Sequence, residues 1–227
     1  MENFTRENSE FWTKFTTELT QEINEKGLLL EYIKKINVSK KKEEGHSNAQ
    51  SYVDYLISDV LPKCETLQKY YFTVEDSLKE REHGDFYLLN KVNGYKIKVG
   101  SNGKLGMSEK LGQPNMCSIE RAIDYLDKEN LPYLVFKLRK VKGKFTFNVF
   151  DLFNYVDVVR YNDGPGQLMI SESKFYKKKE FKYLKTFEVI IYLSDINEQA
   201  YNNLMISRAK RYNKIQNIKK KYERNKI

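Results

Sequence analysis

The residues of this sequence that could do chemistry lie in the middle of the chain, on a predicted β-hairpin. Asp85 opens the first predicted strand, and Lys96 and Lys98 lie on the second. Carboxylate oxygens are the ligands that a hard divalent cation takes. One carboxylate beside two lysines, however, repels a cation rather than binding it. No Asp or Glu occurs between Asp85 and Glu109, so the neighbouring positions supply no second carboxylate.

The elements around this carboxylate are predicted to be a hairpin and a long loop. Asn93-Gly94, a dipeptide typical of tight hairpin turns, separates the apolar segments 86–89 and 95–99. Residues 100–117 contain five glycines or prolines, which predicts a loop. A loop of this length inside a compact domain is more often functional than not.

The order of the predicted elements indicates the fold class. Apolar residues at helical spacing predict helices over residues 1–37 and 47–61, after Ser118 and after Ser173. Continuous or alternating apolar runs predict strands over residues 133–138, 145–153, 155–161 and 167–170. Together with the hairpin, this order predicts an α/β (α+β) fold with a central mixed β-sheet flanked by helices.

Apolar spacing also predicts which helix faces are buried. The N-terminal helix has a stripe of Phe11, Phe15, Leu19 and Ile23, and the second helix has Val53, Leu56 and Val60. The helix capped by Ser118 has Ile119, Ala122, Ile123 and Leu126 on one face. Near the C terminus, Phe181, Leu184, Glu188 and Ile191 share a face, and a further helix is predicted from Ser194.

The composition excludes several classes of protein. The chain has 227 residues, 40 Lys and Arg against 31 Asp and Glu, a net charge of +9, and 40% hydrophobic residues. That apolar content suffices for a folded core. The sequence has no run of 18 apolar residues, which excludes a membrane span, and its two cysteines and two histidines support neither a disulfide framework nor a zinc finger. These features predict a cytoplasmic globular protein whose basic surface favours a polyanion.

Basic residues concentrate in three segments. Residues 137–144 contain Lys137, Arg139, Lys140, Lys142 and Lys144. Residues 174–185 contain six lysines and one Glu, and the last 20 residues contain nine Lys or Arg and one Glu. Such segments can contact the phosphates of a nucleic-acid backbone, although a solvated helix face or tail has the same composition.

The segments around the hairpin occur in a distinctive order. Gly84-Asp85-Phe86-Tyr87 is followed by the hairpin, the glycine-rich loop with Gln113-Pro114-Asn115, a helix, and the strand Tyr133-Leu134-Val135-Phe136. This layout resembles the PD-(D/E)xK nucleases and is most similar to blunt-cutting type II restriction endonucleases of the HpaI, SwaI and HincII kind. The resemblance covers roughly residues 47–215. It implies one restriction-endonuclease-like domain with an N-terminal helical region (1–45), a nuclease-like core (46–173) and a basic helical C-terminal region (174–227).

The resemblance implies a metal site, and this sequence departs from the family pattern there. The family places an Asp on the first strand, an Asp or Glu on the second, a Lys two residues later, and often a Glu on an earlier helix. Asp85 is present, but Lys98, Gly100 and Gln50 stand at the other three positions. Asp85 is therefore the expected metal ligand, and Mg²⁺ is expected only if the protein cleaves DNA.

Three explanations of this departure remain open. The site has decayed and left a DNA-binding protein, or the alignment with the family pattern is shifted. Alternatively the ligands have migrated, with Glu80, Glu82 or Glu109 as the second carboxylate and Lys96 or Lys98 as the lysine. A shift of one residue turns strand side chains to the other face of the sheet, so a small slip does not restore the motif.

The resemblance also implies contacts with DNA. The residues expected there are Lys104, Gln113, Asn115, Lys140, Lys142, Lys144, Gln167, Lys177 and Lys178. Asn115 and Gln167 are the candidates for base contacts, since amides bind adenine edges. The expected partner is palindromic double-stranded DNA, bound by a homodimer whose two-fold symmetry matches the site. The alternatives are a non-catalytic partner subunit of a nuclease and a regulatory DNA- or RNA-binding protein.

Overall fold

Apolar runs along this chain form strands at the centre of the fold and helices around them. The structure is a computed structural model that describes residues 4–38, 52–76, 85–102, 115–141, 144–162, 167–170 and 183–224. Its named helices are α1 (Ser9–Glu25), α2 (Leu30–Val38), α3 (Glu65–Lys69), α4 (Ile119–Glu129) and α5 (Thr186–Arg224). Its strands are β1 (Phe72–Asp76), β2 (Phe86–Asn90), β3 (Lys96–Asn102), β4 (Asn115–Ser118), β5 (Leu134–Val141), β6 (Lys144–Asp151), β7 (Val159–Asn162) and β8 (Gln167–Ile170).

The central sheet has five strands in the order β1-β2-β3-β5-β6. β3 and β5 are parallel, and the other neighbouring pairs are antiparallel. Side chains alternate between the two faces of a strand, and this alternation puts Phe86, Leu88, Ile97 and Val99 in the core, where they are fully buried. The sheet is mixed and helices flank it, so the predicted α/β fold class is confirmed.

A smaller sheet contains the remaining three strands, in the order β4-β8-β7. The chain passes through β4 and α4 between the parallel strands β3 and β5. The prediction of a strand over residues 155–161 is wrong in its first half, because Leu152–Val158 forms 3₁₀ turns. Those turns bury Tyr155 and Val156 against the core, and only residues from Val159 onward pair as a strand.

The hairpin predicted around Asn93-Gly94 is confirmed. β2 and β3 are antiparallel, and Gly94 has a φ of +75° in the turn, a conformation that favours glycine. The predicted loop over residues 100–117 is wrong at both ends. Residues 100–102 continue β3 because they pair with the parallel strand β5, and residues 115–117 belong to β4. Long-range pairing here overrides the local preference of Gly100 for a turn.

The stripe predicted for the N-terminal helix is largely confirmed. Phe15, Leu19 and Ile23 are buried, while Phe11 is only half-buried and Trp12 is buried beside it. The helix does not run unbroken over residues 1–37, since α1 ends at Glu25 and α2 begins at Leu30. Gly27 separates them with a φ of +60°, and a β-carbon there would lie only 2.6 Å from Leu30 Cδ1.

Polar side chains of α1 cover the edge of the central sheet. The backbone N–H of Phe147 in the edge strand β6 donates to Asn24 Oδ1 at 3.2 Å, and Asn24 Nδ2 donates to the Phe147 carbonyl at 2.8 Å. The N–H of Val149 donates to Thr20 Oγ1 at 2.9 Å. An uncovered edge would invite pairing with another chain, so α1 closes this side of the sheet.

Glu22 of α1 caps a second helix from outside. Its Oε1 accepts the backbone N–H of Glu65 at 2.7 Å, and its Oε2 accepts that of Thr66 at 2.8 Å. These are the first N–H groups of α3, which have no partner within their own helix. Lys26 Nζ also donates to Glu22 Oε1 at 2.8 Å. Burial alone would raise the pKa of Glu22, but these hydrogen bonds lower it to about 2.

The depressed pKa of Glu22 predicts a pH-dependent contribution to stability. Its stabilisation is fully present above the ordinary carboxyl pKa of 4.5 and is lost as the pH falls toward 2. Glu22→Gln is therefore expected to lower the free energy of unfolding at neutral pH by roughly 2–3 kcal/mol. Urea unfolding should show that the free energies of unfolding of the parent and the variant converge as the pH falls toward 2. Glu10→Gln, at an exposed position of the same helix, is the matched control and should change little.

The segment predicted as a second helix changes its helical type along its length. Residues 52–55 are α-helical, Leu56–Val60 forms a π-helical turn, and Leu61–Lys63 forms a 3₁₀ turn. Pro62 has no N–H to continue a regular helix. Val53, Leu56 and Val60 are buried as predicted.

The helix predicted after Ser118 is confirmed as α4. Ser118 Oγ accepts the N–H of Arg121 at 3.3 Å, which is the expected N-cap bond. Ile119, Ala122 and Leu126 are buried as predicted, and Ile123 is half-buried.

The prediction that a further helix begins near Ser194 is wrong, and residues 174–182 of the helix predicted before it lie outside the described residues. Thr186–Arg224 is one helix of 39 residues, and Leu184 precedes it in non-helical backbone. Ile191 is exposed rather than buried, and Ser194 lies within the helix, where its Oγ donates to the Ile190 carbonyl. The buried side chains of α5 are instead Val189, Leu193 and Ala200. None of the helices in the described part of the chain is long and apolar enough to cross a membrane.

A buried ion pair connects the N-terminal segment to the sheet and to the start of α5. Arg6 Nε donates to Asp151 Oδ2 at 2.8 Å, and both side chains are almost fully buried. The other guanidinium nitrogens donate to the Leu184 carbonyl at 2.6 Å and to Asn154 Oδ1 at 2.8 Å. Asp151 Oδ1 accepts the N–H of Tyr133 at 3.1 Å. Arg6 therefore joins three parts of the chain that are distant in sequence.

Candidate nucleic-acid interface

Asp85 lies where β2 begins, beside the end of β3. Its backbone N–H donates to the Val99 carbonyl at 2.8 Å, which extends the antiparallel pairing by one residue. Asp85 Oδ2 accepts two hydrogen bonds from Ser101, one from the backbone N–H at 2.5 Å and one from Oγ at 2.6 Å. The side chain is exposed. The carboxylate is thus fixed at one end of the central sheet by Ser101, a residue that the sequence analysis did not single out.

Lys98 faces α4 from the middle of β3. Its ammonium lies 4.6 Å from the centroid of the Tyr125 ring, a cation–π distance. Its backbone N–H donates to the Tyr125 hydroxyl at 3.3 Å, and that hydroxyl donates to the Pro132 carbonyl at 3.1 Å. Burial raises the pKa of Tyr125 far above its usual value, so the phenol stays protonated. Lys98 therefore helps to fasten strand β3 to helix α4.

The contacts of Tyr125 predict a measurable cost on removing its hydroxyl. Tyr125→Phe leaves the Pro132 carbonyl without this donor in a buried place. A loss of about 1–3 kcal/mol in the free energy of unfolding is expected, because an unsatisfied buried acceptor carries its desolvation cost. Chemical denaturation measures it, with Tyr95→Phe at an exposed position as the control. Equal stability of the two variants would contradict the fastening role.

Lys96 pairs with an acidic residue that the sequence did not single out. Its Nζ lies 3.1 Å from Glu75 Oε2 on strand β1. β1 was not among the predicted strands, so no sequence argument brought Glu75 near the hairpin. The alternation of apolar and polar residues from Phe72 to Val74 could have predicted β1, but a strand of five residues gives only a short pattern.

The described residues at the expected metal position do not form an Mg²⁺ site. Hard cations need several oxygen ligands, and Asp85 is the carboxylate there, while an ammonium and a glycine stand at the partner positions 98 and 100. Gly100 is buried in β3 opposite Val135. No group of three or more potential ligands occurs among the described residues. The migration candidates Glu80, Glu82 and Glu109, and the family position Gln50, lie outside the described residues.

The two candidates for base contacts lie on adjacent strands. Asn115 is on β4 and Gln167 is on β8, the central strand of the smaller sheet. Asn115 pairs with Met169, and Gln167 pairs with Ser118 on one side and Asn162 on the other. Asn115 was expected in the glycine-rich loop, and its place in a strand corrects that expectation. The structure brings both amide residues into one sheet of three strands.

The β5–β6 hairpin contains two of the predicted phosphate-contacting lysines. Lys140 pairs with Phe145, and Lys144 pairs with Val141. Lys137, which the sequence grouped with them, is fully buried in β5 and cannot contact a phosphate from there. The remaining candidates Lys104, Gln113, Lys142, Lys177 and Lys178 lie outside the described residues.

Among the side chains that the structure describes, the second half of α5 carries a long run of exposed positive charge. Residues 201–224, which we call the basic arm, contain eight Lys or Arg and one Glu. No side chain described between residues 201 and 220 is buried. The arm is helical, so its charges are held in fixed order along a rod rather than in a frayed tail.

No protein-family model and no curated protein sequence matches this chain. Three features of the described residues bear on nucleic-acid binding: a carboxylate held at the sheet end, two amide residues on neighbouring strands, and a helical basic arm.

Proposed function

We propose that this protein binds double-stranded DNA sequence-specifically, as a symmetric homodimer, and that it cleaves DNA weakly or not at all. The observation that carries this proposal is the basic arm, a helix with eight Lys or Arg and one Glu, in which the six basic side chains up to residue 220 are exposed. Positive groups in fixed array bind a phosphate backbone and release its counterions. A cytoplasmic location belongs to the same proposal.

The arrangement of the core supports a nuclease-like form of DNA binding. The hairpin β2–β3, the helix α4 and the following strand β5 occur in the order on which the resemblance to restriction endonucleases rests. Asn115 and Gln167, on adjacent strands, supply amides of the kind that bind adenine edges. Phosphate contacts position such a protein, and contacts to bases give it sequence preference.

The charge around Asp85 argues against efficient cleavage. Lys98 replaces the expected second carboxylate, and its ammonium is engaged by the Tyr125 ring at 4.6 Å. Asp85 Oδ2 already accepts two hydrogen bonds from Ser101. A carboxylate held in this way, without a carboxylate partner at position 98, supplies too few oxygen ligands to retain Mg²⁺.

Two assays on the full chain test this proposal. Fluorescence anisotropy with a randomised duplex pool, followed by selection of the bound fraction, should give tight binding and an enriched sequence. Single-stranded DNA and RNA of the same length should compete poorly, whereas strong competition by RNA would favour the RNA-binding alternative and overturn the proposal.

Incubation of the selected duplex with Mg²⁺ or Mn²⁺ tests cleavage. No double-strand break is expected. Clean cutting that disappears in Asp85→Ala would overturn the decayed-site view and favour migrated ligands. Cutting that persists in Asp85→Ala would place the chemistry elsewhere in the chain.

A further inference from the structure

The basic arm has little packing in the described part of the protein: Leu204, Ser207 and Gln216 are half-buried, and its other described side chains are exposed. Ala200 is the last described side chain of α5 that is buried. At 1.5 Å per residue, the helix of 39 residues is about 58 Å long. Most of the stability of a helix in a protein comes from packing of one of its faces, and the described side chains of the arm make little such packing. A partner that covers part of the arm would supply the missing packing.

One stripe of exposed residues runs along the whole helix at the spacing of a coiled-coil seam. Intervals of four and three residues alternate without a break through Phe187, Ile191, Ser194, Glu198, Tyr201, Met205, Arg208, Tyr212, Ile215 and Lys219. All ten side chains are exposed. The six apolar members are between 47% and 63% exposed, although this spacing is the one that two packed helices bury. The stripe is distinct from the face that carries the buried Val189, Leu193 and Ala200.

The charges of α5 select the direction of a pairing between two copies. Residues 186–200 contain three Asp or Glu and no Lys or Arg, whereas the basic arm contains eight Lys or Arg and one Glu. A parallel pair would set the two basic arms side by side and repel. An antiparallel pair sets each acidic half against the basic arm of the other copy, which is the complementary arrangement.

The stripe is also complementary to the same stripe of a second copy that runs in the antiparallel direction. Centring the two-fold axis at residue 203 pairs Tyr201 with Met205, Glu198 with Arg208, Ser194 with Tyr212, Ile191 with Ile215, and Phe187 with Lys219. Each layer contains one stripe residue from each copy. The single acidic residue of the stripe, Glu198, faces Arg208 of the other copy. Such a self-complementary patch is what a two-fold dimer requires.

We infer that two copies of this chain associate through an antiparallel coiled coil of their α5 helices along this stripe. The inference specifies the interface of the homodimer in the proposed function, but it requires no DNA. Lys210, Lys214 and Lys220 lie outside the stripe, so the pairing leaves their positive charges available on the outer surface.

Sedimentation equilibrium of the full chain without DNA tests the association. The parent should have twice the chain mass of 27.0 kDa at micromolar concentration. Tyr201→Lys buries an unpaired charge in both central layers and should raise the dimer dissociation constant at least about 100-fold. Ile206→Lys, at an exposed apolar position outside the stripe, is the matched control and should leave the dimer intact. A monomeric parent, or equal effects of the two variants, would overturn the inference.

A charge exchange tests the register. Glu198→Arg and Arg208→Glu should each weaken the dimer, and the double variant should restore it, because each layer then again contains one acid and one base. Failure of the double variant to recover would contradict the pairing of these two positions. Circular dichroism confirms that each variant is folded.

Cross-linking tests the direction. Under mild oxidation, a mixture of Ile191→Cys and Ile215→Cys chains should give a disulfide-linked dimer, while Ile191→Cys alone should not. The parent, whose Cys64 is buried, controls for native cysteines. A dimer formed by Ile191→Cys alone would indicate a parallel pair. If association fails while duplex binding persists, only the interface is wrong; a dimer that does not bind DNA would refute the proposed function instead.

Discussion

Arg6→Ala is expected to lower the free energy of unfolding by about 3–5 kcal/mol, the cost of leaving a buried charge without its partner. The guanidinium is almost fully buried and donates to the Asp151 carboxylate, the Leu184 carbonyl and the Asn154 amide. Burial raises the pKa of Asp151, and Arg6 opposes that rise. Without the guanidinium, the carboxylate must be protonated or solvated by water that enters the core.

Urea unfolding followed by the fluorescence of Trp12 measures this loss. Trp12 is the single tryptophan of the chain and is buried, so its emission reports the core. Lys128→Ala breaks an exposed ion pair with Asp124 and should cost less than about 0.5 kcal/mol. A loss below about 1 kcal/mol for Arg6→Ala would contradict the structural role assigned to the buried pair.

Neutralising the outer face of the basic arm is expected to weaken duplex binding roughly 10- to 100-fold at moderate salt. The variant is Lys210→Gln, Lys214→Gln and Lys220→Gln together, at three exposed positions outside the stripe. Each lost phosphate contact lowers the magnitude of the salt slope by about 0.9, so three contacts lower it by about 2.7 per chain. Anisotropy titrations at several salt concentrations measure both quantities.

A second triple variant controls for net charge. Lys14→Gln, Lys63→Gln and Lys91→Gln remove the same charge from exposed positions elsewhere on the protein. Affinity should fall less than threefold in this control, because long-range attraction is screened beyond a Debye length of about 10 Å. Equal losses in the two variants would mean that net charge, rather than the arm, governs binding.

Local signals in the sequence predicted the parts of the fold that local physics decides. The turn at Asn93-Gly94 needs a positive φ, which Gly94 supplies at +75°. The cap by Ser118 and the apolar face of α4 follow from hydrogen-bonding and helical spacing within a few residues. Such features depend on residues that are close together in the chain, so they can be predicted from the sequence.

Features that depend on distant partners were not predictable. Residues 100–102 form a strand because β5 pairs with them, and glycine content pointed to a loop. Arg6 and Asp151 are 145 residues apart, so no local pattern joins them. Lys137 belongs to a basic run, yet the pairing of β5 between two strands buries it.

The candidate site shows the same division. Asp85 and Lys98 were singled out by the resemblance to the restriction endonucleases together with their places in the predicted hairpin. The partners that define their chemistry, Ser101 and Tyr125, come from the continuation of β3 and from α4. The exposed stripe along α5 was missed because a new helix was predicted to begin at Ser194, within the stripe.

The salt dependence of duplex binding by the full chain tests the central claim most directly. Dissociation constants for the selected duplex, measured between about 50 and 200 mM salt, should give a log–log slope of −4 or steeper, about −0.9 for each phosphate contacted. The affinity should also exceed that for single-stranded DNA and RNA at every salt concentration. A slope near zero, or equal affinity for all three nucleic acids, would contradict sequence-specific binding of double-stranded DNA.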